Sequence, residues 1–168
     1  MRNQASRLVL IIICLMYFIF YVDRVNLSTA APIMQKDLGL TATQLGLVFS
    51  AFAYPYAFFQ IAGGWLGDRL GPRISLGICA AIVAISTIWT GFVGGIISLF
   101  LARLALGIGE GPAFPTATRA LSNWLRADQR GFAQGITHAF ARFGNAVTPP
   151  LIAVITVAFS WRVSFYVL

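Results

Sequence analysis

The chain has 168 residues, of which 58% are apolar and only 10% charged, and its mean hydropathy is +0.80. That leaves too little polar surface to keep a domain wet, which excludes a water-soluble globular fold and makes the lipid bilayer the solvent. The net charge of +7 comes from basic residues scattered over connecting segments rather than gathered in a patch, so nucleic acid is not expected as a partner.

A helix that crosses the hydrocarbon layer needs roughly 20 mostly apolar residues at about 1.5 Å per residue. In chain order such stretches run approximately over residues 8–34, 44–66, 74–93, 96–116 and 131–157, and "WRVSFYVL" opens a sixth at about residue 162. The runs are continuous rather than alternating, which rules against a β-barrel and predicts an all-α membrane protein. Arg2 and Arg7 followed by apolar residues up to Val22 also match the head of a signal peptide, but Ala30 and Ala31 are followed at once by Pro32, and further spans come after. Cys14 and Cys79 both fall inside spans, where two buried free thiols are expected rather than a disulfide or a metal pair.

Orientation follows from the connections, because short cytoplasmic loops carry the excess of Lys and Arg. With a cytoplasmic amino end, that side holds Arg2, Arg7, Arg69, Arg73, Arg119, Arg126 and Arg130, whereas the outer side holds only Lys36 and Arg162. The remaining arginines, Arg24, Arg103 and Arg142, lie within spans together with Asp23, Glu110 and His138. A charge at such depth costs something like 3 kcal/mol on insertion scales, so it faces a bundle interior or a wet cavity. Counted inward from the outer ends at about 1.5 Å per residue, Arg24 lies about 15 Å down, Arg103 about 10 Å, Glu110 about 20 Å and Tyr56 about 18 Å. They share one layer near the midplane.

Helical phase sharpens this placement. At about 100° per residue Tyr17, Tyr21, Arg24 and Ser28 form one stripe on the first span, while Asp23 points about 100° or more away. Arg103, Gly107, Glu110 and Phe114 share a face of the fourth span, and Gln134, His138, Arg142 and Asn145 form a polar stripe on the fifth that is expected to face inward. Guanidinium grips anions in a bidentate fork, and a carboxyl in low dielectric can carry a proton at neutral pH. Two readings stay open at this point: a cavity for an anion with proton-holding acids, or internal salt bridges that only lock helices together. His138 is open in the same way, as a proton relay or a hydrogen-bonded structural group. Small residues four apart, Gly107 with Gly111 and Gly131 with Gly135 and Ala139, are expected to pack closely against neighbouring helices. "GIGEG" has the wrong glycine spacing for a dinucleotide fingerprint and follows no strand. There is no nucleophile with a base at useful spacing, no metal-ligand cluster and no phosphate loop, so neither an enzyme nor a cofactor is expected.

The loop "GGWLGDRLGPR" places Gly64, Gly67, Asp68, Arg69, Gly71 and Arg73 at the hairpin between the second and third spans. It closely resembles the GxLxDRxGxR signature that the major facilitator superfamily carries at that place. "YVDRVNLSTAAP" with "RLALGIGEGPAFP" is similar to the anion:cation symporter family within it, which includes sugar-acid, phthalate and tartrate permeases, sialin and the vesicular glutamate transporters. The resemblance covers nearly the whole chain and implies a twelve-helix fold in two six-helix halves with the site between them. The chain is then the first half, and its partners are a small organic anion, protons, the lipid bilayer and a missing carboxy-terminal six-helix half. The resemblance implies proton-coupling roles for Asp23 and Glu110, a substrate carboxylate at Arg103, and Arg24 as the base linking the acids to the site. Tyr21 and Tyr56 match substrate-cavity tyrosines, and Arg142 and His138 complete the set on the fifth span. Some sugar-acid permeases carry a glutamine where this chain has Ala141. In the hairpin motif the glycines are expected to admit a close helix neighbour, and Asp68 to attract the positive end of a helix dipole from the other half, holding a cytoplasmic gate shut. The expectation is a proton-coupled symporter of a sugar acid or related carboxylate, integral to a bacterial inner membrane with its amino end in the cytoplasm. The competing expectation is a small oligomeric channel or assembly subunit whose buried charges only pair up.

Overall fold

The computed structural model describes residues 2–167; of Arg2 and Asn3 only the backbone is described, so the Arg2 side chain lies outside the described ones, as does Leu168. Six helices follow one another: α1 (Arg2–Asp37), α2 (Ala42–Arg69), α3 (Pro72–Phe92), α4 (Ile96–Trp124), α5 (Ala127–Ala158) and α6 (Trp161–Val167). There is no strand among the described residues, and α1 to α5 are each long and apolar enough to cross a membrane. α1, α2 and α5 reach beyond the expected apolar stretches at both ends, and α3 starts at Pro72 and stops at Phe92 against an expected 74–93. α4 continues to Trp124 rather than ending near 116. Its polar last turns carry Arg119 and Ser122, which extend the helix beyond the apolar layer.

Local chemistry sets the boundaries. α2 starts at a capping box, in which the Gln44 amide nitrogen donates to the Thr41 hydroxyl at 3.2 Å while the Thr41 amide donates to Gln44 Oε1 at 2.8 Å. α3 starts at Pro72, whose missing N–H belongs in a first turn, after Gly71 has turned the chain with φ +77, a conformation that side chains resist. Prolines within α1, α2, α4 and α5 do not end those helices.

The helices pair along three seams, α2 with α4, α1 with α5, and α3 with α4, while α6 rests against α3 and α5. With no water to expel, membrane helices gain by close van der Waals approach, which small residues permit. A Cβ on Gly63 would stand 2.4 Å from Pro112 Cα, and one on Gly107 would stand 2.4 Å from the Phe52 carbonyl oxygen. α2 and α4 therefore touch backbone to backbone, and the Thr116 hydroxyl donates to the Gly63 carbonyl at 3.1 Å. Gly111 packs on Tyr56 in the same seam, as its spacing from Gly107 led one to expect. Gly131 and Gly135 do not pack: their faces meet open space, and the close contact of α5 with α1 is made instead by Gly144 against the Phe18 carbonyl. The spacing was right for a seam, but the face was rotated away from it.

Two rims emerge from the contacts. At one end the Ser6 hydroxyl donates to the Trp124 carbonyl, Arg119 pairs with Asp68, and Arg130 donates to the Ser122 and Leu125 carbonyls left open at the end of α4. At the other end Asp37 accepts from the Trp161 indole at 3.0 Å and from Arg162 at 2.6 Å, and Arg162 also donates to the Val93 carbonyl. This second rim ties the ends of α1 and α3 to the start of α6. Between the rims, Leu8, Ile11, Ile12, Leu15 and Ile19 form an exposed apolar stripe on α1, and Ile74, Ile78, Ile85 and Ile88 stand exposed on α3. That surface suits lipid.

Candidate functional site

The midplane residues assemble from α1, α2 and α4, and α5 extends them. Helical phase puts Tyr21 and Arg24 on one side of α1, and the α2–α4 seam brings Phe52, Tyr56 and Phe114 to meet them. The Arg24 guanidinium lies over four rings, 4.6 Å from the centroid of Tyr56, 4.9 Å from Phe52, 5.0 Å from Tyr21 and 5.8 Å from Phe114. Ring faces attract a cation electrostatically, and so the wall holds the charge without neutralising it. The same guanidinium pairs with Glu110. Glu110 is fully buried, whereas the Arg24 side chain keeps 28% of its surface exposed. One Glu110 oxygen and Arg24 Nε remain without hydrogen-bond partners. A part-exposed cation held by a single carboxylate oxygen is open to exchange of that carboxylate for another anion.

The wall continues on α5. Tyr17 packs edge-on against Phe114 at 4.8 Å and against His138 at 5.5 Å. His138 and Arg142 are exposed, Asn145 is half-buried, and Gln134 donates to the Thr118 hydroxyl across to α4 at 2.8 Å. The polar stripe of α5 thus flanks the aromatic wall and lies on an open face of this six-helix unit.

Asp23 and Arg103 go elsewhere. Asp23 is 2% exposed, turned to the far side of α1 from Arg24, where with Thr87 it borders a groove between α1, α3 and α6. Arg103 shares the α4 face of Glu110 in the helical count but is itself 2% exposed, with its guanidinium 5.6 Å from the Phe165 ring of α6. The expected contact of Arg103 with a substrate on the open face is therefore not what this arrangement offers; two turns along α4 carry it behind α1. Asp23, Arg24, Arg103 and Glu110 lie within electrostatic reach of one another, two of each sign. Together they cancel, which is how a low-dielectric layer tolerates them.

The hairpin motif is divided in its roles. Gly67 packs on Thr116, with a Cβ there 3.3 Å from its hydroxyl, but Gly64 meets nothing within 4 Å. The tight contact belongs to Gly63, one residue earlier. Asp68 pairs with Arg119 of α4 at 3.1 Å, a partner within this unit, and Arg69 stacks on Trp65 at 4.7 Å. Arg73 is exposed. Residues that sequence reasoning did not single out include Phe52, Asn26, Thr87 and Ser164. Phe52 was signalled by its place one turn before Tyr56, and Asn26 by its three-residue spacing from Asp23. Ser164 pairs with Asn26 from the distant α6, a contact with no signal along the chain.

Known proteins share this chain's sequence pattern and fold. A "Probable sulfoacetate transporter" of Cupriavidus necator is 54% identical over 167 residues, covering 99% of this chain and 39% of that protein. The "Hexuronate transporter" of Bacillus subtilis is 39% identical, over 86% of this chain and 34% of its own length. A "D-galactonate transporter" of Escherichia coli is 38% identical, over 95% and 37%. The chain therefore spans between a third and two fifths of the length of these relatives. Among solved structures, a bacterial homologue of the human lysosomal transporter Spinster, inward-facing and unoccupied, superposes with a TM-score of 0.76 at 28% identity, over 83% of this chain and 29% of that one. The family model of the Major Facilitator Superfamily matches residues 13–168, and with the hairpin motif and the bundle in place, the chain belongs to that superfamily.

Proposed function

We propose that the chain forms one six-helix half of a secondary carrier for small organic anions, with Arg24 as the anion contact on the face turned to the other half. The observation that carries this reading is the Arg24 guanidinium itself: part-exposed, lined by four rings and held by one buried carboxylate. An incoming carboxylate or sulfonate competes with Glu110 for the same donors, so loading the anion and freeing Glu110 are one event. Glu110, once released from Arg24 in a dry layer, is then the group that takes a proton, with Asp23 as the second acid. Proton and anion thereby share one binding free energy and move together as a symport. Tyr21, Tyr56, His138 and Arg142 supply hydrogen bonds and charge around the anion. The names of the relatives point to sulfoacetate, hexuronates and galactonate as the compounds to try first. The rim holding Arg7, Arg69, Arg73, Arg119, Arg126 and Arg130 faces the cytoplasm of a bacterial inner membrane, by the bias of basic residues in short loops.

The test uses the complete transporter in vesicles with an imposed proton gradient and these acids in turn. One of them accumulates against its gradient, and collapse of the proton gradient abolishes accumulation. Arg24→Lys keeps the charge but loses the planar fork, and weakens binding of that acid at least about tenfold, some 1.4 kcal/mol. Unchanged affinity in a folded Arg24→Lys protein would overturn the assignment.

A further inference from the structure

Behind α1, away from the aromatic wall, lies a second set of buried polar groups. Both Asp23 oxygens, the Thr87 hydroxyl, Arg103 Nε and Nη2 and Asn26 Nδ2 are buried, and none has a hydrogen-bond partner. The residues that carry them are 2%, 6%, 2% and 0% exposed. They come from α1, α3 and α4, and Asn26 is fixed by the Ser164 hydroxyl of α6, which donates to its Oδ1 at 2.9 Å. Asp23 lies within charge interaction of Arg103 and within loose hydrogen-bonding reach of the Thr87 hydroxyl, and neither contact meets strict hydrogen-bond geometry. Asp23 and Thr87 also border a groove of about 630 Å³ whose other walls, Phe20, Val83, Ala84 and Phe165 among them, are apolar.

Buried polar groups in a folded protein are hydrogen-bonded almost without exception, and polar groups held just beyond direct contact are bridged by water. The inventory suits water in particular. Arg103 and Asn26 can only donate here, Asp23 when ionised can only accept, and Thr87 can do either. A water molecule, with two donors and two acceptors, joins all three kinds, and two to four polar partners are what holds a buried water in place. A bare cation fits poorly, because the Arg103 charge opposes it.

We infer that Asp23, Thr87, Arg103 and Asn26 form an internal water site behind α1, in which Arg103 is the counter-ion of Asp23 and Thr87 positions its carboxyl. The site lies on the other side of α1 from the Arg24 wall, while its charges stay within electrostatic reach of Arg24 and Glu110. If the proposed transport reading holds, the acid is served from a compartment that the anion does not enter.

The experiment does not depend on transport. A crystal structure of the complete transporter, at a resolution that shows ordered waters elsewhere in the bundle, is expected to show a water within hydrogen-bonding distance of at least two of the four residues. A direct Asp23–Arg103 ion pair with no such water would overturn the site. Infrared difference spectra in water and in oxygen-18 water provide the second reading. A buried-water O–H band is expected in the wild type and in Thr87→Ser, lost in Thr87→Val, and retained in Arg24→Lys. The absence of a band that depends on Thr87 would overturn the proposal, and so would its loss in Arg24→Lys.

Discussion

The chain makes the same kind of ion pair at its midplane and at its rim, and the two differ in what they are worth. Arg24 and Glu110 meet where Glu110 is fully buried, whereas Arg119 and Asp68 meet with side chains 56% and 61% exposed. At the rim water screens both charges and can replace either partner, so the pair steers geometry and adds little free energy. At the midplane nothing replaces a lost partner. The difference teaches that a buried pair is costly to break whether or not it was favourable to make, which suits a site where an incoming anion must supply the replacement.

The largest expected effect comes from removing one midplane charge. Glu110→Gln leaves Arg24 among its rings without a counter-charge and should cost about 3 kcal/mol of stability, the low end for a buried pair because Arg24 is part-exposed. SDS-induced unfolding in mixed micelles, followed by the fluorescence of the four tryptophans, measures it. The double variant Arg24→Gln/Glu110→Gln should recover most of the loss. A single-variant cost no larger than that of the rim pair would erase the contrast.

The next effect sharpens the comparison by asking how close α2 and α4 must come for Glu110 to sit where it does. Gly63→Ala puts a methyl group 2.4 Å from Pro112 Cα and should cost about 1–3 kcal/mol, since backbone cannot move aside as a flexible side chain would. Gly64→Ala, the very next residue, meets open space and should be neutral or stabilising by up to about 1 kcal/mol through helix propensity. The same unfolding measurement reads both, and equal effects would contradict the seam.

The smallest effect belongs to the rim. Asp68→Asn should change stability by less than about 1 kcal/mol, and that change should vanish at high salt, where exposed charges are screened. A large, salt-insensitive loss would mean that the rim pair acts as the midplane pair does.

Much of this arrangement could be read from the sequence because the bilayer imposes it. Apolar length dictates the spanning helices, and a charge cannot remain in lipid, so Asp23, Arg24, Arg103 and Glu110 had to be interior groups. Helical phase separated Asp23 from Arg24 correctly, since about 100° per residue holds for any α-helix. It could not say which helix each face would meet. Gly131 and Gly135 have the spacing of a seam yet point to open space, while Gly63 escaped notice because its importance lies in Pro112, forty-nine positions away.

Hydrophobic length and the cost of charge in hydrocarbon already dictate the inventory along the chain: the helices, the four interior charges and the basic bias of one rim. The pairing came from how the helices pack. Arg24 finds Glu110 rather than its chain neighbour Asp23, Arg103 turns behind α1 toward Asp23 and Phe165, and Asp68 takes Arg119. The reason is physical: pairing depends on how each helix is rotated about its axis, and that rotation is fixed by which backbones can touch, at Gly63, Gly107 and Gly144, between residues that lie far apart along the chain.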